Sequence, residues 1–169
     1  QAPELHRVPP SGPLILVTNH VNFLDVPVLY THLLPRPVTG FAKAETWDNA
    51  IMGYLFDLWG GIPIQRGEAD VQAIRTALQA LAAGKILAIA PEGTRSGNGV
   101  LGPGHPGVVW LALQSQAPLL PLVYFGHERY RDDFKRLRRA DFQVRVGRPF
   151  RLNTRGEKVT RELRLKMTE

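Results

Sequence analysis

The sequence predicts an α/β domain, a mixed and largely parallel central sheet flanked by helices. Three observations carry that expectation. Strand-sized apolar runs without polar alternation, such as Ile86–Ala90 and Leu119–Val123, suit a sheet covered on both faces. These runs alternate along the chain with stretches of helical apolar spacing, the pattern of β–α–β units. The length of 169 residues and the 44% hydrophobic composition suit one domain with one substantial core.

Each element has its own local reason. Leu14–Thr18 is a short apolar run led by Pro13 and reads as a buried strand. Val26–Leu34 has helical spacing, with Pro27 tolerated in the first turn. Pro37–Ala42 is a second strand. Thr46–Leu58 reads as a helix with Ile51, Tyr54, Leu55 and Leu58 on one side. Gly60-Gly61 breaks the chain, and Ile62-Pro63-Ile64 is a short extended piece. Ala69–Ala83 is the clearest helix, with Val71, Ile74, Leu78 and Leu81 in one stripe and Gly84 just past its end. Lys85–Ala90 is a strand, Pro106–Gln114 a helix and Leu119–Phe125 a strand. Phe142–Val146 alternates apolar and charged residues, as an edge strand does.

Composition excludes several chemistries. The chain has no Cys, so disulfides, thiolate metal sites and Cys nucleophiles are ruled out. The five His show no paired metal-ligand spacing, and no metal site is expected. No apolar run reaches the 18 residues or so of a membrane span. The chain opens on Gln1 and not Met, and it reads as a fragment or processed form. Residues 1–126 carry 7 Lys/Arg against 8 Asp/Glu, whereas residues 127–169 carry 14 against 7. The whole excess of +6 therefore lies in the last quarter, which suits an anionic partner or a solvated basic face. No helix-turn-helix, zinc-finger or RNA-binding signature supports nucleic acid as that partner.

Two polar motifs follow strands, where open α/β sheets place their sites. In Asn19-His20-Val21-Asn22-Phe23-Leu24-Asp25, a turn lets the Asp25 carboxylate reach the His20 ring. Such a pair is a general base with a fixed tautomer. The same residues also fit a buried structural histidine and a helix N-cap. Pro91-Glu92-Gly93-Thr94-Arg95-Ser96 offers a planar guanidinium fork at Arg95, backbone freedom at Gly93 and hydroxyls at Thr94 and Ser96. Taken alone it is also a polar turn.

Together, in this order and about 70 residues apart, the two motifs resemble the glycerolipid acyltransferase family typified by 1-acylglycerol-3-phosphate acyltransferases. Phe41-Ala42-Lys43-Ala44-Glu45, Gly61 to Gly67, Ala117 to Val123 and Phe142 to Pro149 resemble further blocks of that family. The resemblance covers about 12–152, within a single acyltransferase domain expected over 1–169 that ends in a basic extension at 153–169. One departure is Gly102-Pro103-Gly104-His105-Pro106-Gly107, where the family commonly carries Lys.

The resemblance implies acyl transfer from a thioester to a hydroxyl of a lysophospholipid, foremost 1-acylglycerol-3-phosphate, in phospholipid biosynthesis. Another acceptor, such as an amino-lipid, another lysophospholipid or an alcohol, and a silent lipid-binding protein of the same fold are the alternatives. His20 would be the general base and Asp25 its orienting partner. Arg66 and Arg95, with Lys43 beside them, would hold an anionic head group. Glu92 would bind acceptor hydroxyls or organise Arg95, with Gly93 and Thr94 completing the turn. No cofactor is implied beyond the acyl-coenzyme A or acyl-carrier-protein thioester. The expected partners are the lysophospholipid, the thioester (with acyl-carrier protein as a possible carrier) and an anionic membrane surface. The expected location is the cytoplasmic side of a membrane, peripheral or anchored by a segment outside this chain. Trp47, Trp59 and Trp110, with Phe23, Tyr54, Leu55 and Phe56, fit either core or a lipid-facing pocket.

Overall fold

The computed structural model describes residues 4–22, 24–65, 70–96, 102–126, 130–139, 142–154 and 156–168. Six strands form one sheet: β1 (Leu14–Thr18), β2 (Val38–Lys43), β3 (Gly61–Ile64), β4 (Ile86–Ile89), β5 (Leu119–Phe125) and β6 (Gln143–Val146). Their order is β3-β2-β4-β1-β5-β6, with every pair parallel except β5–β6. The mixed, largely parallel sheet and the edge position of β6 match the sequence expectation, and β6 is the antiparallel member. β1 lies between β4 and β5, so the loops leaving the carboxyl ends of β1 and β4 are neighbours although some 70 residues separate them.

Helices cover both faces. They are α1 (Asp25–Leu33), α2 (Ala50–Leu58), α3 (Val71–Ala82), α4 (Gly107–Ser115), α5 (Tyr130–Lys135) and α6 (Arg161–Lys166). Strand alternation sorts the core between them. Ile15, Leu87 and Leu119 pack with Ala73, Ala77 and Leu81 of α3 and Val108, Leu111 and Ala112 of α4. Leu14, Leu16, Ile86, Leu120 and Leu122 pack on the other face with Leu29 and Leu33 of α1. Leu14, Ile15 and Leu16 are all fully buried, each contributing about 1.5–3 kcal/mol of apolar burial. That double burial is why β1 reads as an unbroken apolar run.

The elements differ from the sequence reading in places, for local reasons. The helix expected over Thr46–Leu58 is split: Ala44–Asp48 forms a 3₁₀ turn, and Asn49 then caps α2 by accepting from Met52 N at 3.0 Å. α3 starts at Val71 because Asp70 caps it, accepting from Ala73 N at 2.9 Å. Two short helices, α5 and α6, arise where no element was expected. No helix among the described residues is long and apolar enough to cross a membrane.

Candidate active site

β1 ends at Thr18, and the next residue ties the strand end to its neighbour. The Asn19 amide donates to Tyr124 O and accepts from Tyr124 N, both at 2.8 Å. It thereby extends the β1–β5 pairing one residue past Thr18 with a side chain. Beyond Asn19 the chain turns sharply into α1. The turn is held by the first residue of that helix: Asp25 Oδ2 accepts from Val21 N at 2.8 Å and Asn22 N at 3.0 Å. The Leu24 N–H bonds to Asn22 Oδ1 at 2.9 Å.

The same oxygen faces His20 Nδ1 at 2.8 Å. Asp25 is buried, whereas the His20 side chain is 23% exposed. An Nδ1–H donated to this carboxylate leaves Nε2 as the ring's basic atom, which accepts from Arg95 Nε at 3.4 Å. The two structural alternatives are thus resolved in part. The N-cap reading of Asp25 does not hold: α1 begins at Asp25 itself with Leu24 at the cap position and no side-chain cap bond, and the Asp25 carboxylate instead accepts from the turn before it and fixes the ring.

The loop after β4 closes on this turn. Gly93, at φ +66°, allows the tight bend, and its N–H bonds to Ala90 O at 3.0 Å. Buried Glu92 bridges the two loops through backbone donors: Oε1 accepts from His20 N at 3.2 Å and Oε2 from Gly102 N at 2.9 Å. Ser96 N bonds to His20 O at 2.8 Å. Exposed Arg95 sends Nε to within 3.4 Å of His20 Nε2. Glu92 therefore spends its oxygens on the backbone, and Arg95 reaches the histidine. Thr94 is exposed in the same turn, and the His105 ring lies over Gly93, 3.1 Å from where a β-carbon there would sit.

Lys43 is exposed at the end of β2, two strands from β1. Arg66 and Phe23 lie outside the described residues.

A cavity of about 110 Å³ opens from His20 and Asp25 toward α2. Its walls are largely apolar, among them Leu29, Tyr30, Phe41, Phe56 and Trp59. Trp59 stacks against Tyr30 and Phe56 at centroid distances of 5.9 and 5.6 Å, and Phe56 against Trp47 at 5.8 Å. Burial pushes the Tyr30 phenol well above its ordinary range. Burial, aided by the Asp25 charge, does the same to Tyr124. Both stay neutral hydroxyls at any physiological pH. The sequence did not point to Asn19, Tyr30, Gly40 or Tyr124 as site residues. Asn19 had a local signal, a polar amide directly after a fully apolar strand.

The arrangement offers an oriented imidazole at the mouth of an apolar cavity, with a guanidinium beside it. Known proteins share both sequence and fold. The family model described as Acyltransferase matches residues 3–125. A 1-acyl-sn-glycerol-3-phosphate acyltransferase of Bacillus subtilis is 27% identical over 143 residues, 85% of this chain and 69% of its own length. One of Limnanthes alba is 33% identical over 78% of this chain and 48% of its own. The human alpha form is 32% identical over 83% of this chain and 51% of its own. The chain thus spans about half the length of the plant and human relatives. The crystal structure of the 1-acyl-sn-glycerophosphate acyltransferase of Thermotoga maritima matches with a TM-score of 0.69 at 18% identity, covering 98% of this chain and 67% of that one, and so shares the fold. On the family match across nearly three quarters of its length, this chain belongs to the Acyltransferase family.

Proposed function

We propose that the protein transfers a fatty acyl group from a coenzyme A or acyl-carrier-protein thioester to the free hydroxyl of 1-acylglycerol-3-phosphate, in phospholipid biosynthesis. The observation that carries this reading is the 2.8 Å His20–Asp25 pair, with Nε2 left as a base at an apolar cavity. The names of the relatives support the acceptor. His20 Nε2 takes the acceptor's hydroxyl proton while that oxygen forms a bond to the thioester carbonyl carbon. The tetrahedral intermediate expels sulfur as the C–S bond breaks, and the imidazolium returns its proton to make the free thiol. Asp25 holds the tautomer and stabilises the imidazolium. No enzyme nucleophile and no cofactor besides the thioester is needed.

The oxyanion needs donors. The N–H groups of His20, Val21, Asn22, Gly93 and Ser96 are already engaged. Among the described donors of the two turns, the backbone N–H groups of Thr94 and Arg95 are left for that role. We assign Arg95, with Arg66 and Lys43, to the head-group phosphate, since a guanidinium pairs with phosphate bidentately. Glu92 acts by fixing the loop that carries His20. The reaction is placed at an anionic membrane surface on the cytoplasmic side, to which the basic last quarter is complementary.

The test is thiol release from a long-chain acyl-coenzyme A in the presence of 1-acylglycerol-3-phosphate. His20→Ala is expected to lose about 10²–10⁴-fold in turnover with its melting temperature little changed. A folded variant with normal turnover would remove His20 from the reaction. Acceptor-independent release would remove the acceptor.

A further inference from the structure

Two of the most exposed large apolar residues sit three positions apart just beyond the sheet: Phe134 is 78% exposed and Leu137 94%. Between and beside them stand Lys135, Arg136, Arg138 and Arg139, all exposed. None of the four forms an ion pair among the described residues. Of the acidic residues near them in sequence, Asp132 and Asp133 lie earlier, in the first turn of α5, and Asp141 comes two positions after Arg139.

The backbone holds Leu137 outward by a defined device. Arg138 N bonds to Asp133 O at 2.8 Å and Leu137 N to Phe134 O at 3.1 Å. This is the six-to-one and five-to-two pair of a Schellman helix end. α3 ends the same way, with Lys85 N on Ala80 O, Gly84 N on Leu81 O and Gly84 at φ +76°. In α5 the left-handed position, at φ +52°, is occupied by Leu137. Glycine would be at ease there, and a leucine that packs on nothing gains no burial in exchange for the strain. The topology sets where this tip points. β5 leaves the sheet at Phe125 and β6 re-enters opposite it at Gln143, so the described residues 130–139 are joined to the sheet at the end that carries the His20 and Glu92 loops. They also lie beyond the family match.

We propose that Phe134–Arg139 is a docking tip for an anionic lipid bilayer, with Phe134 and Leu137 entering the interface and the four cations pairing with its head groups. The choice of a lipid surface rests in part on the lipid acceptor proposed above. The charge selects this patch over the exposed Ile51, Tyr54 and Leu58 of α2, which have Glu45, Asp48 and Asp57 around them. The apolar pair selects lipid over nucleic acid, which offers Leu137 no apolar phase. Docked by this tip, the protein turns the edge holding His20 toward the bilayer.

The test is co-sedimentation of the chain with vesicles of phosphatidylglycerol and phosphatidylcholine, without substrate. Wild type is expected to bind and to release partly as salt rises. Arg138→Gln/Arg139→Gln should bind about fivefold more weakly per cation at low salt, with the difference shrinking at high salt. Phe134→Ser/Leu137→Gly should lose at least tenfold at either salt. Leu137→Gly alone should melt no lower than wild type, which separates lost docking from lost folding. Wild-type binding by Phe134→Ser/Leu137→Gly overturns the proposal. So does a wild type that ignores these vesicles, whether or not it shifts a nucleic-acid duplex. Turnover on monomeric short-chain substrates is measured in parallel. Its absence with vesicle binding intact strikes the acyl-transfer reading and leaves the docking tip standing.

Discussion

Glu92 joins the two motifs through a buried side chain, beside the Ser96–His20 and Arg95–His20 contacts. Its two carboxylate oxygens accept from two backbone N–H groups, one on the histidine turn and one on the segment entering α4. An amide in its place has one acceptor and two donors, so one N–H is left facing a donor in a buried place. Leaving a buried donor unsatisfied costs about 1–3 kcal/mol. Glu92→Gln is therefore expected to lower the melting temperature by several degrees and to lower kcat at least tenfold, with a smaller change in KM. Differential scanning calorimetry and thiol release check this. A variant that melts normally and loses only acceptor affinity would return Glu92 to binding acceptor hydroxyls. The sequence left both acceptor binding and Arg95 organisation open for this residue. It could not favour a backbone bridge, because the partners are N–H groups, which every residue but proline carries and no residue type announces. The His20–Asp25 pair was legible for the opposite reason: both partners are side chains, and their spacing fits one turn.

Among the elements, legibility follows periodicity. β1 and α3 bury residues in regular patterns, Leu14 to Leu16 on the strand and Ala73, Ala77 and Leu81 on the helix. Such elements can be read from apolar spacing, although the stripe expected on α3 is turned: Leu81 is buried and Ile74 and Leu78 pack on the core, whereas Val71 is exposed and Ala73 and Ala77 face inward. α2 shows the limit. Of its expected stripe, Ile51, Tyr54 and Leu58 are exposed and Leu55 is half-buried, whereas Gly53 is buried against Trp47, and Phe56 and Trp59 line the cavity. Apolar spacing identifies a face without saying which face turns inward. Trp110 packs against the α3–α4 core, so the tryptophans divide between core and cavity. Arg36 carried no signal, yet it donates to the carbonyls of Pro9, Gly12 and Gly84 and so ties the amino-terminal edge of the sheet. Close strand approach is equally silent until the backbone is seen. A β-carbon at Gly40 would lie 2.9 Å from Ala88 O, a backbone atom of the adjacent strand that cannot move alone. Gly40→Ala is expected to push β2 from β4 and cost about 1–3 kcal/mol, read as a lower urea midpoint at unchanged slope. A midpoint equal to wild type would mean the two strands separate freely.

At the scale of the whole molecule, the carboxyl-terminal segment is coupled to the site although the family match stops at residue 125. Met167 and Leu152 pack on the core face formed by α3 and α4. Thr168 lies against the loop before α4, where a β-carbon at Gly104 would meet its Cγ2 at 2.9 Å and Pro91 Cβ at 3.5 Å. That loop carries Gly102, which bonds Glu92, and His105, which bonds Pro91 O at 2.8 Å and covers Gly93. The last helix therefore braces the second motif from behind, through side chains that sequence proximity could not connect. Ending the chain after Asn153 removes the Met167 burial, worth on the order of 1–2 kcal/mol for a partly buried side chain, and is expected to lower the melting temperature by about 4 °C. It also frees the loop that holds Glu92, so kcat should fall further than the stability loss alone accounts for. Two point variants divide these effects. Met167→Ala should melt lower while keeping its turnover at a temperature where it is folded. Gly104→Ala should displace Thr168 and lower kcat with a smaller thermal shift. A shortened chain that melts and turns over like the full one would show that the second motif stands without this brace.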